Sequence, residues 1–270
     1  MKQINKIIIA TGVLALGTMA ASASHAAPIV NWDYTVSSVF LTTAGATTFN
    51  GAGPGNANGC ELVSSSSITW GDCPAAGPGP GRSGIGITAS PQTGTIATNG
   101  AAKAANTYTH SNNVLDVDYA TLTRATIRAT LGLRPTGSAA AFTEYVATYT
   151  IRFAETANSA PCVVASPTPC NDIWVLNGSL NNSFTVGADQ YFFSFFAAPS
   201  LTTLSPAACA ATGSASPCIG FTTVEGQANQ VNFLMAITSD RIEIPEPSSL
   251  ALLGLGLVGL AGLARRRKVS

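Results

Sequence analysis

Charged residues are scarce in this chain: Asp, Glu, Lys and Arg make up 10% of its 270 residues, against about 25% in an ordinary soluble domain. Positive charge is scarcer still in the body of the sequence. Between Ala27 and Glu246 stand Arg82, Lys103, Arg124, Arg128, Arg134, Arg152 and Arg241, seven basic residues against thirteen acidic ones, a net charge of −6. Such a surface has no cationic footprint for a phosphate backbone, which excludes nucleic-acid binding. Histidine occurs only at His25 and His110, and there is no CxxC pair, so the usual zinc donor sets are missing. No GxSxG elbow is present; Gly81-Arg82-Ser83-Gly84 lacks its second half, which argues against that kind of hydrolase. No stretch of ten or more residues in the body has the apolar period of an amphipathic helix, and no repeat of fixed period is visible.

What is present begins with two unusual ends. Lys2 and Lys6 precede an apolar run from Ile7 to Leu16, and small residues follow from Ala20 to Ala27. This is the order of a secretory signal peptide. Ser24 and Ala26 fit the positions three and one before a cut, so residues 1–26 are expected to be a signal helix that is removed, His25 with it. At the other end, Ser248 to Ala264 carries no charge. As a helix it would reach roughly 25 Å, near the minimum for a bilayer core of about 30 Å. Arg265, Arg266, Arg267 and Lys268 follow and would hold that end on the cytoplasmic side. The expected organisation is a signal peptide (1–26), an extracytoplasmic domain (27–243) and a C-terminal segment (244–270) with one transmembrane helix.

The body reads as strands. From Tyr145 to Phe153 the odd positions are apolar or aromatic and the even ones mostly polar, the period of a strand with one buried face. Ala125, Ile127, Ala129 and Leu131 alternate with Arg124, Thr126, Arg128 and Thr130, and Val231, Phe233, Met235 and Ile237 make a third case. Tyr191 to Phe196 is nearly continuous aromatic, which predicts a strand buried on both faces. Gly51-Ala52-Gly53-Pro54-Gly55-Asn56 and Gly77-Pro78-Gly79-Pro80-Gly81 propagate neither helix nor central strand. The expected class is all-β, a jelly-roll-like sandwich of two antiparallel sheets. Six cysteines lie in the exported part as close pairs: Cys60 with Cys73, Cys162 with Cys170, Cys209 with Cys218. An oxidising compartment favours disulfides within these pairs, each contributing about 3 kcal/mol through the unfolded state.

Pro245-Glu246-Pro247, an apolar segment and Arg265-Arg266-Arg267-Lys268 together resemble the PEP-CTERM sorting signal of Gram-negative bacteria. The resemblance implies recognition by an exosortase in the inner membrane, cleavage near Pro-Glu-Pro, and delivery to the cell surface or extracellular matrix. The prolines suit that role, because they keep the cut region extended and outside the helix. The body also resembles the THxN subgroup of PEP-CTERM proteins, with Thr109-His110-Ser111-Asn112-Asn113 as the namesake stretch. Ile68-Thr69-Trp70-Gly71, Ile151 to Thr156, Pro161-Cys162, Pro169 to Ile173, Cys218 to Phe221 and Glu225-Gly226-Gln227 continue the likeness. The resemblance implies no catalytic residue.

Each candidate chemistry has a structural counterpart. A neutral His110 could act as a base or ligand; alternatively, Thr109, His110, Asn112 and Asn113 form a hydrogen-bond network at a turn or strand end. Asp116 and Asp118 would share one strand face, and calcium is the only cofactor they suggest, but two ligands fall short of its usual six or more. Glu144 and Glu155 would have to converge to act as a glycosidase pair. Trp32, Trp70 and Trp174 could stack on sugars if exposed, or anchor the core. The reading that results is a non-enzymatic surface or matrix protein, structural or adhesive in a polysaccharide-rich biofilm. A carbohydrate- or calcium-binding module is the alternative, and a secreted hydrolase a third.

Overall fold

The computed structural model describes residues 28–50, 60–73, 77–116, 119–178, 180–198 and 201–240. The expected signal peptide (1–26) and transmembrane segment, the Pro245-Glu246-Pro247 motif, the basic tail Arg265–Lys268 and Asp118 lie outside the described residues.

Alternating sequence becomes alternating burial. In chain order the strands are β1 (Asn31–Phe40), β2 (Thr48–Phe49), β3 (Leu62–Val63), β4 (Ser67–Gly71), β5 (Arg82–Ala89), β6 (Gln92–Ala97), β7 (Lys103–Asn112) and β8 (Leu122–Pro135). They continue as β9 (Thr143–Ala154), β10 (Asp172–Asn177), β11 (Asn181–Val186), β12 (Asp189–Ala198), β13 (Thr202–Thr203), β14 (Ile219–Thr223) and β15 (Gln227–Thr238), with one short helix, α1 (Pro206–Ala211), before β14. Helix α1 starts where Ser205 caps the amide of Ala208 at 3.2 Å and Pro206 fits the first turn. No helix among the described residues is long and apolar enough to cross a membrane.

Two antiparallel sheets face each other. One runs β13-β14-β10-β9-β8-β1-β6, with β2 on the flank of β8; the other runs β11-β12-β15-β7-β5-β4-β3. The chain passes between the sheets repeatedly, as expected of a jelly-roll-like sandwich. In β1, Trp32, Tyr34, Val36, Ser38 and Phe40 all point inward, and β8 contributes Ala125, Ile127, Ala129, Leu131 and Leu133 to the same interior. The core has two centres: Trp32, Tyr191 and Met235 lie in one, Trp70, Phe153 and Trp174 in the other. All three tryptophans are at most 2% exposed, so none offers a platform for sugar stacking.

One expectation is corrected in β12. Tyr191, Phe193, Phe195 and Ala197 are buried, but Phe192 and Phe196 are only partly so. One face is therefore full core, while on the other Phe192 and Phe196 are half-covered and only Ser194 between them is buried. The disulfides join Cys60–Cys73, Cys162–Cys170 and Cys209–Cys218. The first loop is also held by Arg82, 4% exposed, whose guanidinium donates to the carbonyls of Cys60 at 2.7 Å, Gly71 at 3.3 Å and Asp72, and to Thr69 Oγ1 at 3.1 Å. Chemistry is best provided for where β14 leaves one sheet and β15 enters the other.

Candidate functional site

The THxN stretch lies on β7, in the middle of its sheet, and the strand period divides it between two faces. Thr109 faces outward and meets Thr88 Oγ1 at 3.0 Å. His110 and Asn112 face inward and are 3% and 0% exposed. Asn113, just past the strand, donates from Nδ2 to the Arg82 carbonyl at 2.9 Å and from its backbone amide to Ser83 Oγ at 3.0 Å. Ser83 is fully buried and its hydroxyl returns a bond to the Asn113 carbonyl, so it is a structural link and not a nucleophile with access to substrate.

His110 is packed by aromatic rings from both sheets. It stacks on Trp70 at 5.7 Å and 15°, and meets Phe153 at 5.5 Å and Trp174 at 4.9 Å edge to face. Its Nδ1 contacts Thr223 Oγ1 at 3.0 Å, and the same hydroxyl accepts from Trp174 Nε1 at 3.2 Å. Nε2 is buried with no partner. An imidazolium would therefore hold a second N–H with nothing to receive it, and burial pushes the pKa down to about 3. A ring so placed is neutral at physiological pH.

Beside this aromatic cage three carboxylates converge. Glu155 follows the end of β9, Asp172 begins β10, and Glu225 sits in the turn that carries β14 over to β15. The pairings Asp172 with Thr223, Ile173 with Ala154, and Gln227 with Asn112 bring these strand ends together. One oxygen from each carboxylate lies within 4.8 Å of the others. Asp172 is fully buried and Glu225 is 9% exposed; Glu155 is half-buried, but both its oxygens are out of solvent. Asp172 Oδ1 accepts from the Thr156 amide at 2.8 Å, while Thr156 Oγ1 donates to the carbonyls of Cys170 and Asn171. The loop closed by Cys162–Cys170 thus fixes Asp172.

The inward Asn112 side chain completes the cluster. Its Nδ2 donates to the Thr223 carbonyl at 3.3 Å, and its amide lies against the carboxyls of Asp172 and Glu225. Glu155 Oε1 and Oε2, Asp172 Oδ2, Glu225 Oε1 and Oε2, and Asn112 Oδ1 are all buried without a hydrogen-bond partner. Burial foremost, then their mutual repulsion, raises the pKa of Glu155 and Asp172 well above the carboxylate range; burial likewise raises that of Glu225. The donor set is oxygen only, which suits a hard cation.

Two positional expectations do not hold. Asp116 is exposed and follows β7 without belonging to a strand, so it presents no ordered strand face. Glu144 and Glu155 lie at opposite ends of one strand, eleven positions apart, or roughly 36 Å, and cannot converge on a glycosidic bond. The three clustered acids were each present in the stretches that carry the THxN resemblance, Glu155 before Thr156, Asp172 after Cys170, Glu225 before a turn glycine. Nothing in their spacing indicated that they meet, because each comes from a different strand end. Directly outside the cluster, Ser111, Asn113, Gln227 and the Pro78-Gly79 loop border a shallow open depression of about 260 Å³.

A disulfide-bonded sandwich of two antiparallel sheets with a buried acidic cluster defines the class of the body. The particular signal is carried at the C-terminus, where residues 243–268 match the PEP-CTERM protein-sorting motif. The chain is therefore an exported protein with a membrane-anchoring sorting signal of the kind processed by an exosortase. No curated protein matches the chain.

Proposed function

We propose that this protein is a non-enzymatic surface or matrix component, structural or adhesive in an extracellular polysaccharide layer, with a body of the THxN type. It is held in the inner membrane with its basic end in the cytoplasm until an exosortase cuts near Pro245-Glu246-Pro247 and releases the sandwich to the surface. The observation that carries this reading is the sorting motif at residues 243–268 on a body whose three tryptophans and whose Asp172 and Glu225 are turned inward. A buried, neutral His110 and a fully bonded Ser83 support a framework role over catalysis.

The test is fractionation of cells with and without exosortase, followed by mass spectrometry of the surface-released protein. The released chain should lack Arg265–Lys268, and it should stay with the inner membrane when the exosortase is deleted. Surface protein that retains the basic tail would overturn the sorting route. A deletion strain that builds an unaltered polymer layer and adheres normally would overturn the structural role. The polar depression at Ser111, Asn113 and Gln227 favours one variant of this reading, direct contact with polysaccharide. A glycan array with Asn113→Ala and Gln227→Ala as controls tests it, and equal signals from all three proteins would reject it.

A further inference from the structure

We propose that Glu155, Asp172, Glu225 and Asn112 form a calcium site that locks the crossing from β14 to β15. Three carboxylates are drawn together out of water, and the groups that act on their charges are one another, Asn112, Trp70 and Thr156, none of them Lys or Arg. Their buried oxygens without a hydrogen-bond partner are strongly unfavourable in a protein interior unless a ligand binds them. The fully buried Asn112, with its amide against two of the carboxyls and its Oδ1 unpartnered, is an independent sign that a ligand belongs there. A buried amide oxygen costs free energy unless something binds it.

The chemistry selects the ion. Six unpartnered oxygens are available, two from each glutamate, one from Asp172 and one from Asn112. Calcium takes six to eight oxygens at about 2.3–2.6 Å and accepts bidentate carboxylates, so it spans oxygens separated by up to about 5 Å. The 4.8 Å limit on the carboxylate spread fits that reach. Magnesium demands a tighter octahedron and keeps much of its water, which a cluster whose unpartnered carboxyl oxygens are all out of solvent does not accommodate. Sulfur and imidazole donors are absent from the set, which disfavours zinc and copper. The bound ion would tie both sheets together, since β9 and β10 belong to one and β7 and β15 to the other.

The test uses the full chain, purified in mild detergent and stripped with a chelator. Calorimetric titration with calcium chloride should give one site with a Kd below about 10⁻³ M, the weak end for extracellular calcium modules, and magnesium should bind at least about tenfold more weakly. Terbium should show emission sensitised by tryptophan, because the Trp70 indole nitrogen lies near the Glu155 carboxyl without hydrogen-bonding it, and calcium should quench that emission by displacement. Asp172→Asn and Glu225→Gln should each weaken calcium at least about tenfold, given the dependence of affinity on ligand charge. In chelator the same variants should melt no lower than the parent, because they remove repulsion. No calcium response, magnesium binding equal to calcium, or undiminished affinity in the variants would overturn the assignment. If a variant fails to fold, the parent protein still decides: terbium emission that is absent or indifferent to calcium rejects the site.

Discussion

Protonation of His110 offers the sharpest quantitative check on the interior. The ring is 3% exposed, enclosed by Trp70, Phe153 and Trp174, and bonded only through Nδ1 to Thr223. Its pKa falls from the ordinary 6.5 to about 3 because burial disfavours the charged form. The unfolded chain therefore binds a proton near pH 6.5 that the folded protein refuses until about pH 3. The stability associated with the neutral ring is present above pH 6.5 and is lost as pH falls toward 3, at about 1.4 kcal/mol per pH unit. By pH 4.5 the loss is about 3 kcal/mol. His110→Phe keeps a ring in the cage and removes the titration, at a pH-independent cost of about 1 kcal/mol for the lost bond to Thr223. Urea unfolding of both proteins in chelator, from pH 7.5 to 4.5, isolates the effect. Glu155, Asp172 and Glu225 titrate nearby in both proteins, so their contribution drops out of the difference. The stability of the parent relative to His110→Phe should decline by the amount given. A difference that stays flat with pH would show that the ring protonates as readily folded as unfolded, and would refute its burial in the cage.

Three other perturbations address the frame around the site. Arg82→Met leaves the carbonyls of Cys60, Gly71 and Asp72 without their buried donor; it should cost about 3 kcal/mol and speed hydrogen exchange across residues 60–73, and unchanged exchange would argue against the role given to Arg82. Replacing both Cys209 and Cys218 by Ala opens a bridge with a sequence separation of 9 and should lower stability by about 2.5 kcal/mol on chain-entropy grounds, read as a shift in denaturation midpoint under non-reducing conditions. At Gly220 a Cβ would stand 1.8 Å from the Trp174 carbonyl oxygen, so Gly220→Ala should push β14 off β10 and destabilise by at least about 2 kcal/mol. It should also weaken the Trp174–Thr223–His110 contacts, which tryptophan fluorescence would report; an unshifted spectrum and midpoint would count against that close approach.

Strand periods were legible because burial on one face writes itself into every second residue. Ala125 to Leu131 shows this directly; in the second run Val231, Met235 and Ile237 are buried, but Phe233 is only partly so, beside a register shift between Asn232 and Leu234 that breaks the period. The aromatic run of β12 misled for a physical reason: Phe192 and Phe196 sit on a partly covered outer face, and composition does not distinguish partial from full cover. His110 was conspicuous as the only histidine in the body of the sequence, but its neutrality depends on rings contributed by β4, β9 and β10. Asp116 and Asp118 drew attention as neighbours in sequence. The acids that meet are instead separated by 17 and 53 positions along the chain, Glu155 to Asp172 and Asp172 to Glu225.

By itself the sequence determined destination and class. A Pro-Glu-Pro motif, an apolar segment and a basic tail act locally, through hydrophobic transfer and charge, and need no partner from elsewhere in the chain to be read. Alternation likewise reports which face of a strand is dry. Only the tertiary structure decided which strand ends meet. Register and sheet crossing bring Glu155, Asp172, Glu225 and Asn112 to one point, and that convergence depends on long-range pairing, which leaves no periodic trace in the sequence.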